Sequence, residues 1–263
     1  MGGPTQKKTP GHNVAPAKVE TPALDWLDGE VPRAEAFDDT YFSRAGGLAE
    51  TRHVFLAGNG LPDRWQGRER FTIAEFGFGT GLNFLTTLKA LKALKTLEKG
   101  ANPPHLTFVT FELYPMTREQ LTRALGVFPV LAEEAGDLIA RWQPVPGWSK
   151  LAFAGADLWL GIGDARQMIS DLARKGESTP SGPVDAWYLD GFSPAKNPEL
   201  WQEDLLKAAF DVTAEAGTFA TYTAAGWVRR NLASAGFTVE KQKGFAGKRE
   251  MVVGAKTPSD AVA

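Results

Sequence analysis

The sequence has 263 residues, 43% of them hydrophobic and 23% charged, with a formal net charge of −2 at pH 7; these are ordinary values for a globular protein of one large or two small domains. It contains no cysteine, which excludes disulfides and thiolate metal sites, and its three histidines (His12, His53, His105) are not at ligand spacing, so no metal is expected. No stretch approaches the roughly 18 apolar residues of a membrane helix, and the N-terminus has no apolar signal core, so the expectation is a cytoplasmic protein with no membrane partner.

In chain order, residues 1–20 are rich in Pro, Gly and Lys and read as a disordered tail. Residues 21–70 are mixed and aromatic and read as an N-terminal extension packed on the core. From 71 to 256 strands and helices alternate in one domain. A strand is predicted over 71–76, a helix over 82–97 and a strand over 106–112. A helix over 117–125 starts at a Thr cap with Glu119 close behind. Residues 151–153 and 158–162, split by Gly155, read as a hairpin, and 184–189 as a central strand buried on both faces. A strand over 217–222, a helix over 225–235 and closing strands at 238–241 and 249–254 follow; 257–263 is a second tail. The fold class expected is α/β: a mostly parallel sheet with helices on both faces, ligands at the carboxyl ends of its strands, and a C-terminal antiparallel hairpin at the sheet edge.

The segment from Glu75 to Asn83 places Gly77, Gly79 and Gly81 between a strand and a helix, a loop that lets a ligand approach the backbone with helix N–H groups aimed at it. A dinucleotide fingerprint would need its third glycine at position 82, which is Leu82. The spacing resembles the first motif of Rossmann-like methyltransferases, which implies S-adenosyl-L-methionine as the ligand, contacted by Glu75, the three glycines and Asn83. In that reading Glu112, ending the second strand, accepts hydrogen bonds from the ribose, and Asp164, ending the third, holds the adenine amino group or merely caps a helix.

After the fourth strand comes Asp190-Gly-Phe-Ser-Pro-Ala-Lys-Asn-Pro198, which resembles the Asp/Asn-Pro-Pro-Tyr loop of amino-group methyltransferases. A carboxylate can orient an amine and take its proton, and an aromatic face can sit beside a cationic centre. Asp190 and Phe192 are the candidates for these roles, with Asp190 also beside the methyl donor. The plainer reading is a proline-stiffened turn capping a helix.

The segments 37–42, 50–56, 76–85, 189–198, 226–230 and 243–251 together resemble the methyltransferase domain of the MnmC family. The resemblance implies methylation of the aminomethyl group of 5-aminomethyl(-2-thio)uridine at the tRNA wobble position. It implies no FAD, since no second glycine fingerprint follows, and hence a separate route or protein supplying the aminomethyl substrate. Ala224 departs from the family pattern, which has serine there, and is assigned no polar role. The family's segment over the active site corresponds to Asp39, Tyr41 and Phe42; the two rings either stack on the target uracil or anchor the extension. Between Gly226 and Lys256 seven basic residues face two acids. Arg229, Arg230, Lys243, Lys248 and Arg249, with Lys196, become tRNA candidates, against the reading of a solvated surface. A methyltransferase of a small-molecule or protein amine would share the cofactor residues without needing that basic face. A non-catalytic nucleotide- or RNA-binding module would have little use for the Asp190–Phe192 pair.

Overall fold

The structure, a computed structural model, describes residues 19–97, 103–174, 176 and 178–258. The tails expected at 1–20 and 257–263 lie outside these residues, apart from 19–20 and 257–258.

The chain opens with a small antiparallel sheet of β1 (Leu24–Leu27), β2 (Val31–Ala34) and β3 (Asp39–Thr40). Helix α1 (Gly47–Thr51) runs on into a wide helical turn over Arg52–Leu56 and a tighter one over Ala57–Asn59. The alternating region follows as β4 (Arg70–Phe76), α2 (Leu82–Leu97), β5 (His105–Glu112), α3 (Arg118–Leu125) and α4 (Ala132–Arg141). Then come β6 (Gly147–Phe153), β7 (Ala156–Ile162), the short α5 (Ala165–Met168), β8 (Val184–Tyr188) and α6 (Glu203–Asp211). It closes with β9 (Thr213–Thr221), α7 (Gly226–Ala235), β10 (Thr238–Lys243) and β11 (Glu250–Ala255).

The large sheet has the order β10–β11–β9–β8–β4–β5–β7–β6, with the central strands β9, β8, β4, β5 and β7 parallel. The expected hairpin around Gly155 is β6–β7, with β6 antiparallel at one edge, and the closing pair β10–β11 is antiparallel at the other. Thr117 caps α3 as expected, but the reciprocal partner in its capping box is Gln120 rather than the neighbouring Glu119. Helix α4 was not predicted, although its apolar residues Ala135 and Leu138 are buried.

Successive residues of a strand point to opposite faces, so one sheet feeds two cores. Phe71, Ile73, Phe108, Leu158 and Tyr188 pack with Phe84, Leu85 and Leu88 of α2 on one face. Phe76, Phe111, Val184, Trp187 and Leu189 pack with Leu205 of α6 and Val228 and Leu232 of α7 on the other. Each fully buried side chain such as Phe71 or Phe84 contributes about 1.5–3 kcal/mol. Val54, Phe55, Leu61 and Trp65, which precede β4, belong to the first of these cores. Asn59 ties that segment to the sheet, its Nδ2 donating to the Trp187 carbonyl at 3.2 Å.

Strand β4 has β5 on one side and β8 on the other, so the connections leaving β4 and β8 diverge to opposite faces. That reversal opens a crevice beyond the carboxyl ends of the two strands, where ligands bind in open α/β sheets.

Candidate active site

A cavity of about 760 Å³ fills this crevice, a size suited to a small-molecule ligand. Its floor is the glycine loop after β4. Gly77, Gly79 and Gly81 all have positive φ (78°, 55° and 73°), which a residue with a side chain rarely adopts. A Cβ at Gly79 would stand 3.0 Å from the Tyr41 ring, and one at Gly77 would stand 3.4 Å from the Gly191 backbone. The loop is thus a cradle whose free space a side chain would consume. Gly77 and Gly79 line the cavity; Gly81 does not, because it packs under Phe78, 2.7 Å from where its Cβ would be.

Glu112 leaves the end of β5 and lines the cavity. Its carboxylate accepts from the backbone N–H groups of Gly79 and Tyr114, both at 2.8 Å. Burial raises its pKa against the pull of these hydrogen bonds. Asp164 also lines the cavity, and its Oδ1 accepts from the Arg166 N–H at 2.8 Å, capping α5. The capping role is therefore real, and the same side chain still borders the ligand space.

Glu75 does not border the ligand space as the glycine-loop motif led us to expect. Its side chain is fully buried behind the loop and does not line the cavity. Oε1 accepts from Asn83 Nδ2 at 2.8 Å and Oε2 from the Thr110 hydroxyl at 2.9 Å. Burial first, then the nearby Asp190, raises its pKa well above the ordinary range. Glu75 holds the loop from behind through Asn83 and Thr110.

Asn83 links the two sides of the crevice. One amide nitrogen donates to Glu75 and, at 2.7 Å, to Asp190 Oδ2, while its oxygen accepts from the Thr51 hydroxyl at 2.7 Å. Asp190 Oδ1 accepts from the Gly191 N–H at 2.8 Å. Burial pushes the Asp190 carboxyl up to about 7; the hydrogen bonds from Gly191 and Asn83 oppose the shift, Glu50 adds to it and Lys248 opposes it. A carboxylate poised there can accept a proton near neutrality.

Aromatic rings wall the space beside Asp190. Phe192 stacks on Phe37 with centroids 4.7 Å apart and meets the edge of Tyr41 at 5.1 Å. Asp39 pins the extension to this loop by accepting from the Ser193 N–H at 2.7 Å, and Lys196 donates to the Asp38 carbonyl and carboxylate. Phe42 touches the cavity but is buried against Phe128 and the α1 turn, so packing dominates its role.

The basic residues divide. Lys248 lines the cavity, its ammonium 2.6 Å from Glu50 Oε1 and 4.6 Å from the Tyr222 ring centroid. Arg230, Lys243 and Arg249 are exposed and lie away from the cavity. Arg229 is half-buried, with an Nε that finds no hydrogen-bond partner among the described residues. Sequence reasoning gave no role to Tyr222, whose hydroxyl donates to the Gly191 carbonyl at 2.9 Å, or to Glu50. Tyr222 follows directly on β9, so the carboxyl-end rule was the signal available for it; nothing local marks Glu50. Among the described residues no group of three or more His, Cys, Asp or Glu is placed to hold a metal, and no helix is long and apolar enough to cross a membrane.

A mostly parallel sheet, a positive-φ glycine loop at its reversal point and a strand-end carboxylate beneath it define a Rossmann-like S-adenosyl-L-methionine-dependent methyltransferase. Residues 129–257 match the model of a family described in those terms, S-adenosyl-L-methionine-dependent methyltransferase. The chain is 46% identical over 238 residues to the tRNA 5-methylaminomethyl-2-thiouridine biosynthesis bifunctional protein MnmC of Aeromonas salmonicida, covering 88% of this chain and 35% of that protein. With the protein of the same name from Vibrio cholerae the identity is 42%, over 88% of this chain and 34% of that one. The crystal structure of MnmC2 from Aquifex aeolicus superposes with a TM-score of 0.71 at 23% identity, covering 91% of this chain and 71% of that one. The chain is thus similar to the MnmC proteins over most of its own length, and it spans about a third of the length of the curated relatives it matches.

Proposed function

We propose that the protein methylates the exocyclic amine of 5-aminomethyl(-2-thio)uridine at the wobble position of tRNA, giving 5-methylaminomethyl(-2-thio)uridine. The observation that carries this reading is the Asp190 carboxylate, which Asn83 fixes at the border between the glycine cradle and an aromatic wall. Support for the acceptor comes from the names of the relatives, which concern this tRNA modification.

S-adenosyl-L-methionine supplies an electrophilic methyl group. Gly77, Gly79 and Asn83 would border its methionine part, Glu112 its ribose and Asp164 its adenine. The acceptor is an alkylamine that is mostly protonated at neutral pH and has no lone pair in that form. Asp190 orients the amine and takes its proton, directly or through water, with an affinity for protons that suits the task. Phe192 and Tyr41 present ring faces and edges where the uracil and the cationic centre meet. Arg230, Lys243 and Arg249 offer positive charge to tRNA phosphates. Such an enzyme works in the cytoplasm on tRNA that already carries the aminomethyl group.

The test is incubation with labelled S-adenosyl-L-methionine and tRNA bearing 5-aminomethyluridine, followed by nucleoside analysis. Labelled 5-methylaminomethyluridine is the expected product. Label in small-molecule or protein amines but not in tRNA would overturn the acceptor.

A further inference from the structure

Three features of the cavity are not used by the scheme above, and they stand together. Glu50, on α1, is only 14% exposed and lines the cavity. Tyr222 turns one ring face toward the same space while its hydroxyl is held by the Gly191 carbonyl, next to Asp190. Between them sits the ammonium of Lys248, carried in from the C-terminal hairpin turn. A primary alkylammonium here is held by a carboxylate on one side and an aromatic face on another, the two partners that best recognise such a group.

The acceptor in the proposed reaction is itself a primary alkylammonium when it arrives. We propose that Glu50 and the face of Tyr222 are the recognition seat for the acceptor's aminomethyl group, and that Lys248 takes this seat as an internal stand-in and yields it to the substrate. This inference rests on the proposed function and names the residues that distinguish an aminomethyl uridine from an unmodified one. Lys248 is suited to yielding: its side chain is 45% exposed, and it follows Gly247 in a turn where Ala246 and Gly247 both have positive φ.

The ammonium gives one proton to Asp190, and the freed lone pair forms the new C–N bond as the C–S bond breaks with its electron pair to sulfur. Positive charge therefore returns to the nitrogen as the methyl arrives. A fixed carboxylate and ring face at that point stabilise the charge where it develops. Glu50 is a positioning and specificity residue, and proton uptake stays with Asp190.

The experiment compares affinities for two tRNAs that differ only in the aminomethyl group, so contacts to phosphates cancel in the ratio. The wild-type protein should prefer the aminomethyl tRNA. Glu50→Gln should reduce that preference by roughly tenfold or more, with S-adenosyl-L-methionine affinity unchanged. Lys248→Met should leave the preference at or above the wild-type level, because an internal competitor is gone. The double variant E50Q/K248M, which leaves no unpaired lysine, should keep the low preference of E50Q. An unchanged ratio in E50Q, a wild-type ratio in the double variant, or a fall in Lys248→Met alone would overturn the seat. A wild-type protein that methylates aminomethyl tRNA while E50Q keeps full preference sinks this inference only; a wild-type protein that never methylates that tRNA sinks the proposed function itself.

Discussion

On the β4–β5–β7 side of the cavity, the groups that face the centre stand within a few residues of a strand end. Gly77 and Gly79 follow β4, Glu112 closes β5 and Asp164 follows β7, and two of them are joined by a hydrogen bond from the Gly79 N–H to the Glu112 carboxylate. On the other side the groups come from widely separated stretches: Phe37, Tyr41 and Glu50 from before β4, Asp190 and Phe192 from after β8, Tyr222 from after β9, and Lys248 from the final hairpin. The first side recognises with backbone and strand ends, and the second with side chains that only the packed chain assembles. Asn83 is bonded to acids on both sides, Glu75 and Asp190.

That contrast can be broken most severely at Gly79. Gly79→Val forces a branched side chain into positive φ and onto the Tyr41 ring, and it should abolish S-adenosyl-L-methionine binding in calorimetry. Glu112→Ala on the same side should only weaken it. If Gly79→Val binds like the wild type, the cradle is not the cofactor site.

Asp190→Asn should do the reverse. A rate loss on the order of 10²-fold or more is the scale for a general base, with cofactor affinity nearly intact. The wild-type rate should rise with pH through an apparent midpoint near the Asp190 value of about 7, and the variant should lose that rise. Stability should depend on pH in the opposite direction to the rate. The folded carboxyl is raised from 3.8 to about 7, so the native state holds a proton that the unfolded chain has released. The resulting stability is complete below the unfolded value and is lost as pH rises toward 7. Asp190→Asn should therefore unfold at a higher temperature than the wild type at pH 8, with the gap closing toward pH 4. A gap independent of pH would mean that Asp190 is ionised throughout.

Asn83→Ala tests the link between the sides. It removes the donor shared by two carboxylates and should lift the pH–rate midpoint, because Asn83 favours the ionised form of Asp190. A rate loss of roughly tenfold, together with weaker cofactor binding, is expected, since the lost bonds are worth about 1–3 kcal/mol. An effect confined to one side would show that Asn83 serves that side alone.

The smallest effect should come from outside the cavity. Replacing Arg230, Lys243 and Arg249 by Ala should weaken tRNA binding uniformly and flatten the dependence of log K on log salt by about one unit per lost phosphate contact. An unchanged slope would return those residues to an ordinary solvated surface.

The first side of the cavity was readable from the amino-acid order because its chemistry is local. Apolar runs mark the strands, glycines mark the turn that needs positive φ, and an acid at a strand end has only one edge of the sheet to occupy. Sequence also reached Asp190 and Phe192, since they follow a strand whose unbroken apolar run announced its central place. It does not place the Glu75 side chain, because the motif marks an acid before the loop but not the direction in which the strand turns it. The pleat sends Glu75 inward to Asn83 and Thr110. By sequence Lys248 is one of several cations expected to face tRNA, and only the packing of the final hairpin beside α1 sets it against Glu50 and Tyr222. Local order along the chain dictates dihedral preferences and which face of an element is apolar. Contacts between residues nearly 200 positions apart, such as Glu50 and Lys248, arise only when the sheet closes and the extension docks on it, and it is those contacts that shape the acceptor side.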